Sequence, residues 1–152
     1  QLDRFMFKLN LDYPNSDDAI SILKSKSSSE VTTSIISKDT ILNAQNLIMN
    51  NTSVDDNVST FIAKVVKLTR NTQGILLGAS PTASVSLLNA ARGYAAVING
   101  KDSVTIDDVK AVAFDVLNHR LMVRDIAEGE DSKDYGVQKI QDILAISMEN
   151  IK

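Results

Sequence analysis

The chain has 152 residues, enough for one domain with a sizeable core or for a small domain with an appendage. Its hydrophobic fraction of 43% is that of an ordinary globular protein, and its formal net charge of −3 argues against a nucleic-acid partner. The absence of cysteine excludes disulfides and thiolate metal sites, and no apolar run approaches the roughly 20 residues that cross a bilayer. We therefore expect a cytoplasmic protein with no membrane partner.

The first segment of the chain alternates apolar and polar residues. The apolar positions, which fall on one face, are Phe5, Phe7, Leu9, Leu11 and Tyr13. This period of two predicts a strand that ends at Pro14. A lone strand leaves its backbone groups unpaired, and the chain opens on Gln1 rather than Met. We therefore expect an excised part of a longer protein, whose other strands precede this one; proteolytic maturation is the alternative.

The rest of the chain predicts about six helices. The predicted N-terminal caps are Asn15 or Ser16, Ser37, Asp55, Ser80 and Thr105. In the first helix the predicted buried residues are Ala19, Ile20, Ile22 and Leu23. The helix from Pro81 to about Asn99 is rich in alanine, so we expect it at the centre of a bundle. Residues 25–30 and 125–134 are predicted loops. The predicted fold is mainly α, a helical bundle with one N-terminal strand.

Motifs that carry chemistry on their own are missing. The sequence has no G-x-x-x-x-G-K-[ST] phosphate loop and no strand that ends in paired acids for magnesium. His119 is the only histidine, so no histidine pair can ligate a metal, and its place near a helix end predicts a packing or capping role. The adjacent Asp107 and Asp108 point about 100° apart on a helix and are predicted to be first-turn charges. By its own residues the chain is not predicted to be an enzyme.

Four short motifs, taken in their order and spacing, carry a more specific signal. Residues 1–5 (QLDRF), 78–81 (GASP), 104–109 (VTIDDV) and 116–121 (VLNHRL) resemble the Q-L-D-R-F, G-A-S-P-R-A, V-T-P-E-D-V and V-L-x-H-R-L boxes of MoxR-type AAA+ ATPases. The resemblance extends from Gln1 to about Val123. On this basis residues 1–14 are the end of the AAA+ core and residues 15–152 are the helical lid, with a tail after about 124 to which no role is assigned.

The resemblance implies an activity and partners for the longer parent protein. Such proteins are ring-forming ATPases, usually hexamers, that use ATP and Mg at sites between neighbouring subunits. The expected partners are the neighbouring subunits of a homo-oligomeric ring, client proteins and proteins with a von Willebrand A domain. The expected function is chaperone-like remodelling or maturation of these partners.

Arg4 matches the arginine finger of the family, which makes it the expected catalytic residue toward the neighbouring subunit's nucleotide. A guanidinium is always charged and can brace two phosphate oxygens at once, so it suits charge that develops on a γ-phosphate across an interface. The alternative is that Arg4 pairs with Asp3 or with a carboxylate of a neighbouring subunit.

The second expected nucleotide contact, made by Ser80, Pro81 and Thr82, departs from the family. Thr82 stands where a sensor arginine is expected, and it is too short and uncharged to neutralise a phosphate. The helix N-terminus still offers N–H groups, whereas Arg92 lies about 15 Å further along the helix. Lid closure is therefore expected to be less tightly coupled to the γ-phosphate, unless an arginine elsewhere supplies the contact. A degenerate ATPase that binds but hydrolyses poorly is the rival explanation.

The alternative function is a helical DNA-binding or protein-interaction module without ATPase activity. Lys64, Lys67 and Arg70 recur at i, i+3 and i+6 on one predicted helix, as a basic recognition face would require. A solvated polar face explains the same pattern more simply.

Overall fold

A computed structural model describes residues 1–9, 11, 13–25, 35–124 and 132–149, with side chains in the last range from Tyr135 onward. The loops predicted at 25–30 and 125–134 therefore lie outside the described residues, apart from Ser25 and the helical backbone of 132–134.

Six α-helices make up most of the described residues, which confirms the mainly-α prediction. They are α1 (Ser16–Ser25), α2 (Lys38–Asn51), α3 (Asp56–Thr69), α4 (Pro81–Gly93), α5 (Ile106–Leu117) and α6 (Ser132–Met148). A π-helical turn, Tyr94–Ile98, extends α4, and 3-10 turns cover Leu2–Arg4 and Asn118–Arg120. The strands are β1 (Ser53–Val54), β2 (Ile75–Leu77), β3 (Ser103–Val104) and β4 (Met122–Val123). The first pairs with β3 in parallel, and β2 pairs with β4 antiparallel.

The helix boundaries follow from local hydrogen bonds that the sequence makes possible. The Asn15 and Ser37 side chains accept from the amides of Asp18 and Thr40, so both are N-caps as predicted. Thr105 caps α5 in a complete capping box. At the other end of the α4 segment the chain reverses at Gly100, whose φ of +62° favours glycine.

The core lies between α3, α4, α5 and α6, which together form the helical body. Its largest fully buried apolar side chains are Phe61, Val65, Leu87, Val109, Val116, Leu117, Ile140 and Ile143. The predicted central position of α4 is confirmed, because this helix packs against α2, α3 and α5. Its buried side chains are mostly alanines, which let the neighbouring helices approach closely.

The predicted N-terminal strand is not formed at its described residues, 5–9, 11 and 13. Residues 5–9 adopt no regular structure, and the amide of Lys8 donates to the carbonyl of Asp115 on α5 at 3.0 Å. A strand needs a partner edge, and the described strands are two or three residues long and already paired in twos. The alternating apolar residues are consequently exposed, Tyr13 almost completely.

The prediction of a buried face on α1 is also wrong within this chain. Ile20, Ile22 and Leu23 are exposed, and neither α1 nor α2 contains a buried residue. Each helix has an apolar side that stays largely exposed among the described residues, and the contact of α2 with α4 buries no residue of α2. Among the helices that the structure describes, none has the length and hydropathy to cross a bilayer.

Candidate functional site

Three of the four motif regions meet at one place on the body. The Leu2–Arg4 turn contacts both α4 and the Asn118–Arg120 turn that follows α5. The chain segments concerned, residues 1–5, 80–86 and 119–120, are far apart in sequence: the bonded pairs are separated by 34 to 117 residues. This junction is the candidate site.

Arg120 is the centre of the junction, with a side chain that is only 1% exposed. Its Nη1 donates to Asp3 Oδ1 at 3.2 Å, and its Nη2 donates to the Phe5 carbonyl at 2.7 Å and to Ser86 Oγ at 3.0 Å. A buried cation is tolerated when it has a counter-charge and further hydrogen bonds, and Asp3 supplies that charge from a half-exposed position.

Ser80 stands at the N-cap position of α4, but its side chain does not cap the helix. The hydroxyl donates to Asp3 Oδ2 at 2.6 Å instead. Pro81 occupies the first helical position as predicted, where its missing N–H costs nothing, and the Ala83 amide donates to the Ser80 carbonyl. The start of α4 is thus tied to the N-terminal turn.

The residues at the start of α4 fit a phosphate group poorly. Pro81 has no N–H and the Ala83 amide is already bonded, which leaves the Thr82 amide in the first turn. The Thr82 side chain is exposed and uncharged. The nearby carboxylate of Asp3 would repel an anion, and the Arg120 guanidinium is already bonded to it. Nor does the described part of the chain hold a cluster of three His, Asp or Glu side chains for a metal ion.

Arg4 differs from its two neighbours in the turn. Its side chain is exposed and makes no hydrogen bond or ion pair with the residues that the structure describes. Asp3 is bonded to Arg120 and Ser80, so the alternative pairing of Arg4 with Asp3 is not formed. The turn therefore presents one free guanidinium between two anchored residues.

His119 anchors the same turn from the side of α5. Its Nε2 lies 2.8 Å from the Phe5 carbonyl, so Nε2 carries the proton and donates it. The ring is buried, and its Nδ1 has no partner among the described residues. This contact agrees with the packing role that the sequence predicts for His119.

Sequence reasoning did not single out Asp3 and Arg120. Both stand inside motifs that were recognised, Asp3 in QLDRF and Arg120 in VLNHRL. The available signal was that Asp3 and Arg120 are residues of opposite charge within two motifs of the same family. Sequence alone does not show that two motifs 117 residues apart touch.

The adjacent acids at the start of α5 have separate environments, as predicted. Asp107 is exposed and pairs with Lys110, whereas Asp108 is buried. Burial opposes ionisation of Asp108, but hydrogen bonds from Thr105 and Asn99, with Lys101 nearby, outweigh it and hold the pKa of this carboxyl below its usual value. Asp108 is therefore a structural anion of the capping box.

The candidate basic face on α3 consists of Lys64, Lys67 and Arg70, and two of these three cations are hydrogen-bonded within the fold. The Lys64 ammonium donates to the carbonyl of Glu149, and Arg70 Nε donates to the Ala79 carbonyl at 2.9 Å. Of the three cations, Lys67 is the one without a side-chain partner among the described residues. This arrangement does not favour a phosphate-tracking surface.

Comparisons with known proteins place this geometry in a family. A family described as the AAA lid domain matches residues 67–143, half of the chain. The match takes in most of α6, so it continues past the limit of about Val123 that the motifs indicated. The chain is 33% identical to the uncharacterised YeaC protein of Bacillus subtilis over 86% of its length, and 30% identical to the chaperone MoxR1 of Mycobacterium tuberculosis over 99%.

A solved structure agrees with the sequence matches. A Cytophaga hutchinsonii protein assigned as an ATPase superposes on 95% of the chain with a TM-score of 0.77 and 29% identity, and the match covers 46% of that protein. The chain spans 41% and 42% of the lengths of YeaC and MoxR1. The chain therefore belongs to the AAA lid domain family, as a MoxR-like AAA+ lid region.

Proposed function

We propose that the chain is the lid of a MoxR-like AAA+ ATPase together with the turn that carries its arginine finger. Residues 1–14 end the AAA+ core, and residues 15–152 form the lid, including the tail after 124. The whole protein hydrolyses ATP with Mg in a homo-oligomeric ring, with the hexamer as the expected size. The observation that carries the proposal is the free guanidinium of Arg4 on a turn whose flanking residues are both anchored.

The setting of Arg4 suits an arginine that acts on a neighbouring subunit. A finger must reach a γ-phosphate that its own subunit does not hold, so its guanidinium must be exposed and without an internal partner. Arg4 meets both conditions within the described residues. The anchored Asp3 and Phe5 limit the freedom of the backbone between them, which reduces the entropy that is lost when the side chain binds.

ATP and Mg supply the transferable phosphate and the charge neutralisation of the reaction when they are bound. The described residues at the start of α4 would contribute little to holding them, because Thr82 replaces the expected arginine. We therefore assign most of the nucleotide site to the AAA+ core of the whole protein. Closure of this lid is correspondingly less tightly coupled to the γ-phosphate.

The exposed apolar residues support an assembly that covers them. Single exposed apolar residues are common, but here they recur along residues 5–13, α1 and α2. The occupants that we propose are the AAA+ core of the same subunit and the neighbouring subunit of the ring.

The chaperone name of MoxR1 belongs to that protein and supports a similar activity here. We propose chaperone-like remodelling or maturation of client proteins, with von Willebrand A-domain proteins among the partners and the cytoplasm as the location.

The test is ATP hydrolysis by the full-length protein that contains this chain. Arg4→Ala should lower kcat by about 10³-fold with a small change in KM, because the lost contact forms in the transition state. Lys8→Ala is the matched control, since Lys8 is an exposed cation of the same segment and only its amide is bonded in the fold. The control should keep wild-type kcat.

Mixed oligomers test the action in trans. Subunits with Arg4→Ala, combined with subunits whose own nucleotide site is inactivated, should recover part of the activity because each supplies what the other lacks. Unchanged kcat in Arg4→Ala would overturn the proposal. Duplex binding with a steep salt dependence would instead favour the DNA-binding alternative.

A further inference from the structure

Both oxygens of the Asp3 carboxylate are bonded to the helical body. Oδ1 accepts from Arg120 Nη1 at 3.2 Å, and Oδ2 accepts from the Ser80 hydroxyl at 2.6 Å. Arg120 follows α5, whereas Ser80 is the N-cap residue of α4. The residue before Arg4 is therefore fixed to two separate elements of the lid at once.

The residue after Arg4 is fixed as well. The Phe5 carbonyl accepts from Arg120 Nη2 at 2.7 Å and from His119 Nε2, which lies 2.8 Å away. Both donors are buried. Neither contact involves the Phe5 side chain, so the body holds the backbone of the turn itself.

One guanidinium connects all these parts. Arg120 contacts Asp3, Phe5 and, through Ser86 Oγ, the second turn of α4. Its planar group presents donors in fixed directions, so the spacing between the turn and α4 is set by one rigid unit. An ammonium could not hold the same three acceptors in that geometry.

We infer that Arg120, Asp3 and His119 are positioning residues that lock the Arg4 turn to the start of α4, so that the lid helix and the finger move as one unit. The inference rests on the proposed role of Arg4. The start of α4 is the end of the lid that we place toward the subunit's own nucleotide, and Arg4 faces the next subunit's nucleotide. A shift of α4 would therefore be passed to the finger through Asp3 and Phe5 and would link consecutive sites of a ring.

A purely structural role of Arg120 predicts a different pattern of effects. A buried arginine that only stabilises the lid would change stability and activity independently of Arg4. A positioning residue acts through Arg4, so its effect on kcat should vanish once the Arg4 guanidinium is absent. The distinction can be measured as the additivity of two substitutions.

The experiment compares Arg120→Ala, Arg4→Ala and the double variant in ATP hydrolysis by the full-length protein. Arg120→Ala should lower kcat by about 10²-fold, the size expected when a reacting group is misplaced by about 1 Å, and should change KM little. In the Arg4→Ala background the same substitution should cause no further loss. Arg120→Lys should recover part of kcat by restoring the charge opposite Asp3.

Two variants make the test independent of gross folding. Asp3→Asn changes a half-exposed carboxylate and should also lower kcat, by about tenfold, only when Arg4 is present. Arg124→Ala is the matched control, because Arg124 is an exposed arginine four residues on with no side-chain partner among the described residues. It should leave kcat and KM unchanged.

The possible outcomes separate the two claims. Suppose that Arg4→Ala lowers kcat and that Arg120→Ala and Asp3→Asn lower kcat by the same factor whether or not Arg4 is present. The positioning role is then wrong, and the proposed role of Arg4 as arginine finger is retained. If Arg4→Ala leaves kcat unchanged, the proposed function itself fails. Should Arg120→Ala not fold, the Asp3→Asn pair with Arg4→Ala decides between additive and non-additive behaviour.

Discussion

The helical body, α3 to α6, and the N-terminal region, residues 1–25 with α2, are patterned alike and packed very differently. Both carry apolar residues at regular spacing, yet every helix of the body places apolar residues in the buried core, whereas α1 and α2 contain no buried residue. A periodic pattern therefore establishes that a face is apolar, but not that its partner lies in the same chain. In the body the partner helices follow directly along the sequence. In the N-terminal region the contacts with the body, such as those of α2 and of the Leu2–Arg4 turn with α4, leave most of the large apolar side chains exposed.

The two regions should respond very differently to loss of a large apolar side chain. Leu87 of α4 is 0% exposed, and Leu87→Ala should destabilise the chain by about 2–5 kcal/mol because it leaves a cavity in the core. Ile41 of α2 is 50% exposed, and Ile41→Ala should change stability by no more than about 0.5 kcal/mol. Urea unfolding of both variants measures the difference. Equal losses would mean that α2 is part of the core after all.

Substitution of a buried polar residue in the body should show how much of the stability depends on the capping box of α5. Asp108 accepts hydrogen bonds from Thr105 and Asn99, and Asp108→Asn should destabilise the chain by about 1–3 kcal/mol at pH 7. Because the pKa of the folded carboxyl lies below its unfolded value of about 3.9, this contribution is present above that pH and is lost as pH falls through the folded pKa. The gap between wild type and variant should therefore close in strong acid.

Asp107→Asn is the matched control for this pH dependence. Its side chain is 87% exposed and pairs with Lys110 one turn on, an arrangement that contributes little. Unfolding followed from pH 7 into strong acid should show a shrinking gap for the Asp108 variant and no comparable trend for the Asp107 variant. A gap that does not shrink in strong acid would show that the charge of Asp108 is not what stabilises α5.

Sequence reasoning succeeded where the cause of a structure is local. The caps at Ser37 and Thr105 and the end of the α4 segment near Asn99 depend on neighbours within a few residues, and all were predicted. The strand predicted over residues 5–13 is not formed where the structure describes this range, because pairing needs a second strand that the sequence pattern does not reveal. The paired strands β1 to β4 are two or three residues long, too short for an alternating apolar pattern to predict them.

In the candidate site, too, the local features could be predicted from the sequence and the long-range contacts could not. Arg4 and Ser80 could be proposed from motifs, since each motif is contiguous in sequence. Their connection through Asp3 and Arg120 depends on contacts across 77 and 117 residues. The Ser80 hydroxyl was predicted to accept from an amide of α4. It makes no such bond and instead donates to the Asp3 carboxylate at 2.6 Å, a charge-assisted hydrogen bond to a distant part of the chain.

The smallest expected effect on stability lies where the two regions meet, at the start of α4. Thr82 is exposed, so Thr82→Arg should lower stability by no more than about 0.5 kcal/mol, the residual cost of a cation at a helix N-terminus. In the full-length protein the same change restores the arginine expected at this position and should lower KM for ATP by about tenfold, as one new charge-assisted contact would. Thr82→Gln, which has comparable reach without charge, should leave KM close to wild type. If arginine and glutamine behave alike, the start of α4 does not approach a phosphate. The contact with ATP that we propose for this chain is then the one made by Arg4.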